Sequence, residues 1–159
     1  MATNLGLITI ETVTQANEEL LEEILAIDEE AFGLGSLNEW SLTPFLNYGR
    51  VYLARYEGRP AGIAELMRDW RDSELAYLYG YAVAQDYRNH GVATAMLSTM
   101  LEALPRSGFT RMQLMVHPEN EIALYICENK FHMRRLEYIW NYFGHGEDRW
   151  LLEWNWEVE

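Results

Sequence analysis

Cysteine, lysine and proline are scarce in this chain of 159 residues, which has one Cys, Cys127, one Lys, Lys130, and four Pro. A lone cysteine closes no internal disulfide and supplies no cysteine-rich metal site, so no metal is expected, and its single presence suits a reducing compartment. Basic charge is also short, with 12 Lys and Arg against 25 Asp and Glu and a formal charge of −13. A surface of that sign repels polyanions, which argues against nucleic acid and anionic membranes as partners. The longest apolar run, IALYIC at residues 122–127, is far below the ~18 residues that mark a membrane span. The opening MATNLG has neither a basic n-region nor an apolar h-region, and the expectation is a cytoplasmic protein. No segment repeats and none is rich enough in Pro, Gly or Ser to be a linker, so residues 1–159 are expected to form one domain. What is present suffices for a core: 49% of the residues are hydrophobic, 13% aromatic and 23% charged.

Punctuation along the chain separates the elements. Residues 5–13 (LGLITIETV) read as a strand, and Thr14 as the cap of a helix whose apolar stripe is Leu20, Ile24, Ile27 and Ala31, stopped by Gly33. Thr43 and Pro44 read as the cap and first turn of a short helix through Phe45 and Leu46 that ends near Gly49. Strand-like runs at 51–56 and 61–69 are joined by Glu57, Gly58, Arg59 and Pro60, which predicts a hairpin. A fourth strand covers 75–83, with Leu75, Tyr77, Tyr79, Tyr81 and Val83 on a bulky face and Ala76, Leu78, Gly80 and Ala82 on a small one. Val92, Met96, Leu97, Met100, Leu101 and Leu104 recur at helical spacing until Pro105. A strand at 111–117, a helix from 120 to near 129, and two aromatic strands at 131–142 and 149–156 complete a mixed α/β chain.

The stretch with chemistry in it is the strand YLYGYAV, the turn AQDY, and then Arg88, Asn89, His90, Gly91, Val92, Ala93 and Thr94 opening a helix. Backbone N–H groups at such a start have no helical partner and sit at the positive end of the dipole, which makes an anion site. A side chain at position 91 would hold a phosphate off those amides, and Ala93 keeps the first turn narrow.

These residues resemble the signature of the GNAT superfamily of N-acetyltransferases: a strand, then Arg or Gln, two residues, Gly, one residue, and Gly or Ala opening a helix. A second mark of that family lies in VHPENEIALYICENKF, as Asn120, Glu121, Ala123 and Phe131. The resemblance implies a strongly twisted, mostly antiparallel mixed sheet of about six to seven strands flanked by about four helices, with the fourth and fifth strands splayed to admit acetyl-CoA. The pyrophosphate would lie on the amides of Asn89, His90, Gly91, Val92, Ala93 and Thr94. The backbone of Tyr81, Ala82 and Val83 would pair with pantetheine and acetyl groups, and Asn120 would help fix the cofactor. An amide from that strand aimed at the thioester oxygen would stabilise charge as the amine attacks directly in a ternary complex.

The family's usual proton donor, a Tyr seven positions after the Asn, is Cys127 here. Tyr125 is the nearby phenol, about 200° around a helix from Cys127, and it is preferred to Cys127 as the expected donor. Tyr77 and Met115 stand where some relatives have Glu, and neither is a base at neutral pH. His117, on the strand face of Met115, is the titratable substitute. The acidic balance favours a cationic small-molecule amine as acceptor, with a peptide or protein amine, or a silent acyl-CoA-binding module, as alternatives. Glu29, Glu30, Glu39, Glu65 and Asp69 are acids on acceptor-side elements. Trp40, Trp140, Tyr142, Phe143 and Trp150 are aromatics that could hold a cation, pack in the core or form a homodimer surface.

Overall fold

The computed structural model describes residues 7–157. Seven strands form one open sheet: β1 (Ile8–Val13), β2 (Arg50–Tyr56), β3 (Arg59–Arg68), β4 (Leu75–Val83), β5 (Arg111–Val116), β6 (Arg134–Ile139) and β7 (Arg149–Asn155). Their order is β1-β2-β3-β4-β5-β7-β6. Pairing is parallel between β4 and β5 and antiparallel at β1–β2, β2–β3, β5–β7 and β6–β7. Four helices accompany it: α1 (Glu18–Phe32), α2 (Glu39–Tyr48), α3 (Val92–Ala103) and the short α4 (Glu121–Tyr125). Among the described residues no helix is long and apolar enough to cross a membrane.

The chain folds as two compact units, one made of the residues up to Met67 with Gly80–Glu102, the other of Arg68–Tyr79 with the residues from Ala103 onward. In the first unit, β2 and β3 meet in a two-residue turn in which Glu57 (φ 48°) and Gly58 (φ 81°) are both left-handed, the geometry that matches strand twist. The turn is tighter than the four-residue connection expected from Glu57 to Pro60. The core of this unit gathers Ile24 and Ile27 of α1, Leu42 and Leu46 of α2, and Val51, Leu53 and Ile63 of the strands.

The starts of α1 and α2 differ from the sequence expectation. Asn17, not Thr14, caps α1, its Oδ1 accepting the Leu20 N–H at 2.8 Å. At α2 Asn38 and Ser41 form a reciprocal box, Ser41 N–H to Asn38 Oδ1 at 3.1 Å and Asn38 N–H to Ser41 Oγ at 3.0 Å. That box satisfies two donors at once, so the helix begins ahead of Thr43 and takes Pro44 into its interior. On α1 the expected stripe member Ala31 is exposed, and Asp28 is buried with Ile24 and Ile27. Leu5 and Gly6, the first residues of the expected strand, lie outside the described residues.

In the second unit β5 alternates, with Met112, Leu114 and Val116 buried and Arg111, Gln113 and Met115 half-buried. The helix expected from 120 to near 129 is shorter in its regular part: α4 ends at Tyr125 and a wider π turn, Ile126–Lys130, follows. The Met133 N–H then closes on Cys127 O at 3.0 Å. The strand expected at 131–142 is limited to β6, because His132 (φ 54°) and Asn141 (φ 54°) take left-handed backbone at either side.

Candidate active site

Within the first unit, β4 feeds the loop that opens α3. A single 3₁₀ turn, Gln85–Tyr87, leads to Arg88, whose Nε donates back to Val83 O at 3.2 Å. Asn89 (φ 62°) and Gly91 (φ 83°) are both left-handed, and this pair of reversals turns successive amides toward one side. At Gly91 a β-carbon would have only Ile8 Cδ1 near it, at 4.0 Å. Glycine is therefore required there by its backbone angle, and the space over the amides stays open. Ala95 N–H to Gly91 O, 3.0 Å, is the first helical bond, so the Val92 and Ala93 amides precede the helical ladder. His90 Nδ1 lies 2.7 Å from Arg88 O, and its ring stands edge-on to Tyr56 at 5.2 Å. The loop is thus braced by its own side chains. Amides at a helix start, positively polarised, fit a pyrophosphate, the part of acetyl-CoA that the family resemblance implies there.

On β4 the small face is the buried one: Ala76, Leu78, Gly80 and Ala82 are covered, while Tyr77 and Tyr81 are half-buried and Tyr79 is exposed. Gly80 is small for a reason. A β-carbon there would collide with Glu65 Oε2 of β3. Glu65 is 0% exposed, and neither carboxyl oxygen has a hydrogen-bond partner. Burial, with the nearby Asp28 carboxylate adding to it, pushes the Glu65 pKa up to about 8. Its own backbone N–H pulls the other way, as the smallest of the three effects. Asp28 is 2% exposed and accepts the Leu37 N–H at 2.5 Å. Burial raises its pKa, and that bond opposes the rise.

The pairing of β4 with β5 covers Leu75–Leu78 against Arg111–Leu114 and β4 runs on through Val83. In the second unit a tight turn joins His117 to Asn120, and α4 runs from there to Tyr125. His117 O accepts the Asn120 N–H at 2.9 Å, and His117 Nδ1 accepts the Glu119 N–H at 3.1 Å. The latter bond places the imidazole proton on Nε2 and engages the only lone pair. Asn120 Oδ1 caps α4 through the Ala123 N–H at 3.1 Å. Tyr125 is 59% exposed, whereas Cys127 is fully buried and burial pushes its thiol up to about 12. Of the two candidate proton donors, only Tyr125 meets solvent. Tyr77 is held as a neutral phenol, raised by burial and by the Tyr142 hydroxyl.

The other acids and aromatics have local tasks. Glu30 Oε2 accepts the Gln85 N–H at 3.0 Å, and Asp69 Oδ1 accepts the Arg71 and Asp72 N–H groups at 2.7 and 2.9 Å. Glu29 and Glu39 are exposed. Tyr138 stacks edge-on between Trp140 and Trp150, each at 4.9 Å. Arg135 lies over Trp150 and Arg149 over Phe143, both at 4.9 Å, so the protein's own guanidinium groups occupy ring faces that a ligand cation would use. Trp40 is 88% exposed on α2. Asp28 escaped the sequence reading although its signal was there: it falls four residues after Ile24, on the stripe that turns inward.

A mixed sheet that delivers a loop of left-handed backbone to a helix start is a frame for holding a phosphate-bearing ligand through main-chain amides. The acetyltransferase (GNAT) family model matches residues 13–133, and the chain belongs to that family, enzymes that transfer an acetyl group from acetyl-CoA. No curated protein is a significant sequence match. Among solved structures the chain is similar to the ribosomal-protein-S18-alanine N-acetyltransferase of Escherichia coli (TM-score 0.79, 19% identity, 96% of each chain covered). It is also similar to a GNAT acetyltransferase of Elizabethkingia anophelis with acetyl-CoA bound (0.73, 19%, 93% of this chain and 97% of that one). A third is Arabidopsis thaliana Naa50 in complex with the bisubstrate analogue CoA-Ac-MVNAL (0.74, 16%, 92% and 97%).

Proposed function

We propose that the protein transfers an acetyl group from acetyl-CoA to a primary amine on a cationic small molecule, by direct attack in a ternary complex. The observation that carries this reading is the loop of Arg88–Thr94, with Asn89 and Gly91 left-handed at the start of α3. In this proposal the amides of Asn89 to Thr94 hold the pyrophosphate, with Arg88 bracing the loop, and the backbone of Tyr81, Ala82 and Val83 takes the pantetheine and acetyl groups. Asn120 helps fix the donor. Tyr125, an exposed phenol, protonates the departing thiolate. His117 takes the amine proton after giving up its bond to the Glu119 N–H. The cationic acceptor is supported by the charge of −13. One cytoplasmic catalytic domain over 1–159 is the organisation we infer.

A second reading, a peptide α-amine as acceptor, is favoured by the bisubstrate complex of Naa50, whose analogue is built on a peptide. Acetyl-CoA consumption with mass spectrometry of products, over pooled polyamines, aminoglycosides, amino acids and short peptides, separates the two. We expect an amine pool to be acetylated. Tyr125→Phe and His117→Ala should each lower kcat by about 10²-fold or more with acetyl-CoA affinity retained. Acetylation of peptides alone selects the second reading. Tight acetyl-CoA binding without turnover in any pool overturns both in favour of a silent binding module.

A further inference from the structure

Glu65 is the one side chain of the described residues whose buried oxygens have no partner. A carboxyl in that condition is costly to bury, and nothing among its neighbours offsets the cost. Val51, opposite it on β2, is apolar, and Gly80 of β4 offers no side chain. Leu42 and Leu46 of α2 add no charge to the core beside it. The only ionisable neighbour that acts on it by charge is another acid, Asp28 of α1. Two buried acids with no cation between them are uncompensated, which favours the protonated form of Glu65. The point where a Gly80 β-carbon would stand touches both Glu65 Oε2 and, at 3.9 Å, Phe32 Cε2. Phe32 is 43% exposed, at the end of α1 and next to Gly33 (φ 55°). A partly exposed aromatic ring therefore neighbours this point.

We propose that the Glu65 carboxyl, set against Gly80 with Asp28 beside it, is the binding site for an ammonium group of the acceptor other than the amine that takes the acetyl group. The proposal rests on the reading of the chain as an acetyltransferase acting on cationic amines, and it supplies that reading with a recognition group. Gly80 directly precedes Tyr81, Ala82 and Val83 on the same strand, so the site lies within about 7 Å, two strand residues, of the backbone assigned to the acyl group. A guest enters past the Phe32 edge. Binding exchanges a proton for a cation: R–NH₃⁺ meets the neutral carboxyl, one H⁺ leaves to solvent, and a carboxylate–ammonium pair remains. The cation then offsets the charge of the buried carboxylate.

Calorimetry of the CoA-saturated full-length protein with spermidine as the probe, in phosphate and in Tris at pH 6.5, 7.5 and 8.5, tests this. Expected are release of close to one proton per amine at pH 6.5 and an affinity that rises about tenfold per pH unit until about pH 8. Glu65→Gln should bind at least tenfold more weakly with no proton release. Gly80→Ala, whose β-carbon displaces the carboxyl, should do the same with CoA affinity unchanged. PH-independent affinity, parent-like binding by Glu65→Gln in a protein of native circular dichroism, or no spermidine binding at any pH overturns the site. Binding with proton release but no acetyl-spermidine from acetyl-CoA overturns the proposed activity and leaves the site standing. Acetylation with spermidine KM unchanged by Glu65→Gln overturns the site and leaves the activity.

Discussion

Glu65 and Glu153 are both buried glutamates on sheet strands, one in each unit, and they are housed in opposite ways. Glu153 on β7 is 6% exposed and receives Gln113 Nε2 at 2.7 Å, Asn155 Nδ2 at 3.1 Å and Arg111 at 3.5 Å. Arg111 in turn pairs with Asp72. Each acceptor there has a donor, as a structural carboxylate needs. Glu65 has none, and a second acid stands nearby. A fold able to satisfy one buried glutamate with three donors leaves the other bare, set against Gly80 of β4. Where rules of polar satisfaction fail in an otherwise consistent structure, function is the usual reason.

The largest effect should come from pH. Below about pH 4.5 the Glu65 carboxyl is protonated in both folded and unfolded chains, and between about 4.5 and about 8 only the folded chain keeps the proton. Its contribution to stability is complete at the acid end and is lost as pH rises, by about 1.4 kcal/mol per pH unit. Urea unfolding of the parent and Glu65→Gln should show the parent losing about 4 kcal/mol relative to the variant between pH 5 and pH 8. Equal pH dependence of the two would mean that Glu65 is no more perturbed than Glu153. A smaller effect of opposite sense is expected from truncating the partners' side: Glu153→Ala should cost about 2 kcal/mol by stranding Gln113 and Arg111, while Glu65→Leu at pH 8 should raise stability. Smallest is Asn38→Ala, which removes the α2 box and should cost about 1 kcal/mol in the same assay.

Most elements could be read from the chain because their signals are local. Alternation marked β4, strand-like runs marked β2 and β5, and the i, i+4 stripe from Val92 marked α3. The α3 loop was legible for the same reason, since Arg88, Gly91 and Ala93 lie within one turn of sequence. Helix starts were misjudged where two residues compete to cap: Thr14 against Asn17, and Thr43 with Pro44 against Asn38 with Ser41. The reciprocal bonds of Asn38 and Ser41 decide the second case, and nothing in Thr43-Pro44 matches them. The π turn after Tyr125 left no mark in composition, because it depends on the fit of Cys127 and Met133. Glu65 was visible as an acid inside the apolar run AGIAELM. Its meeting with Asp28 and Gly80 joins three elements distant in sequence, which only the tertiary fold brings together.

An open sheet exposes two rows of backbone hydrogen-bonding groups to any passing strand. β6 is one of these borders, and it carries Arg134, Arg135 and Glu137 in a row of exposed residues. Its register with β7 slips between Arg135 and Glu137, at Leu136. Charge would have to be desolvated, and a kinked ribbon straightened, before another chain could extend the sheet there. The same border that ends the fold therefore guards it against fibre growth and against dimers built by adding strand to strand.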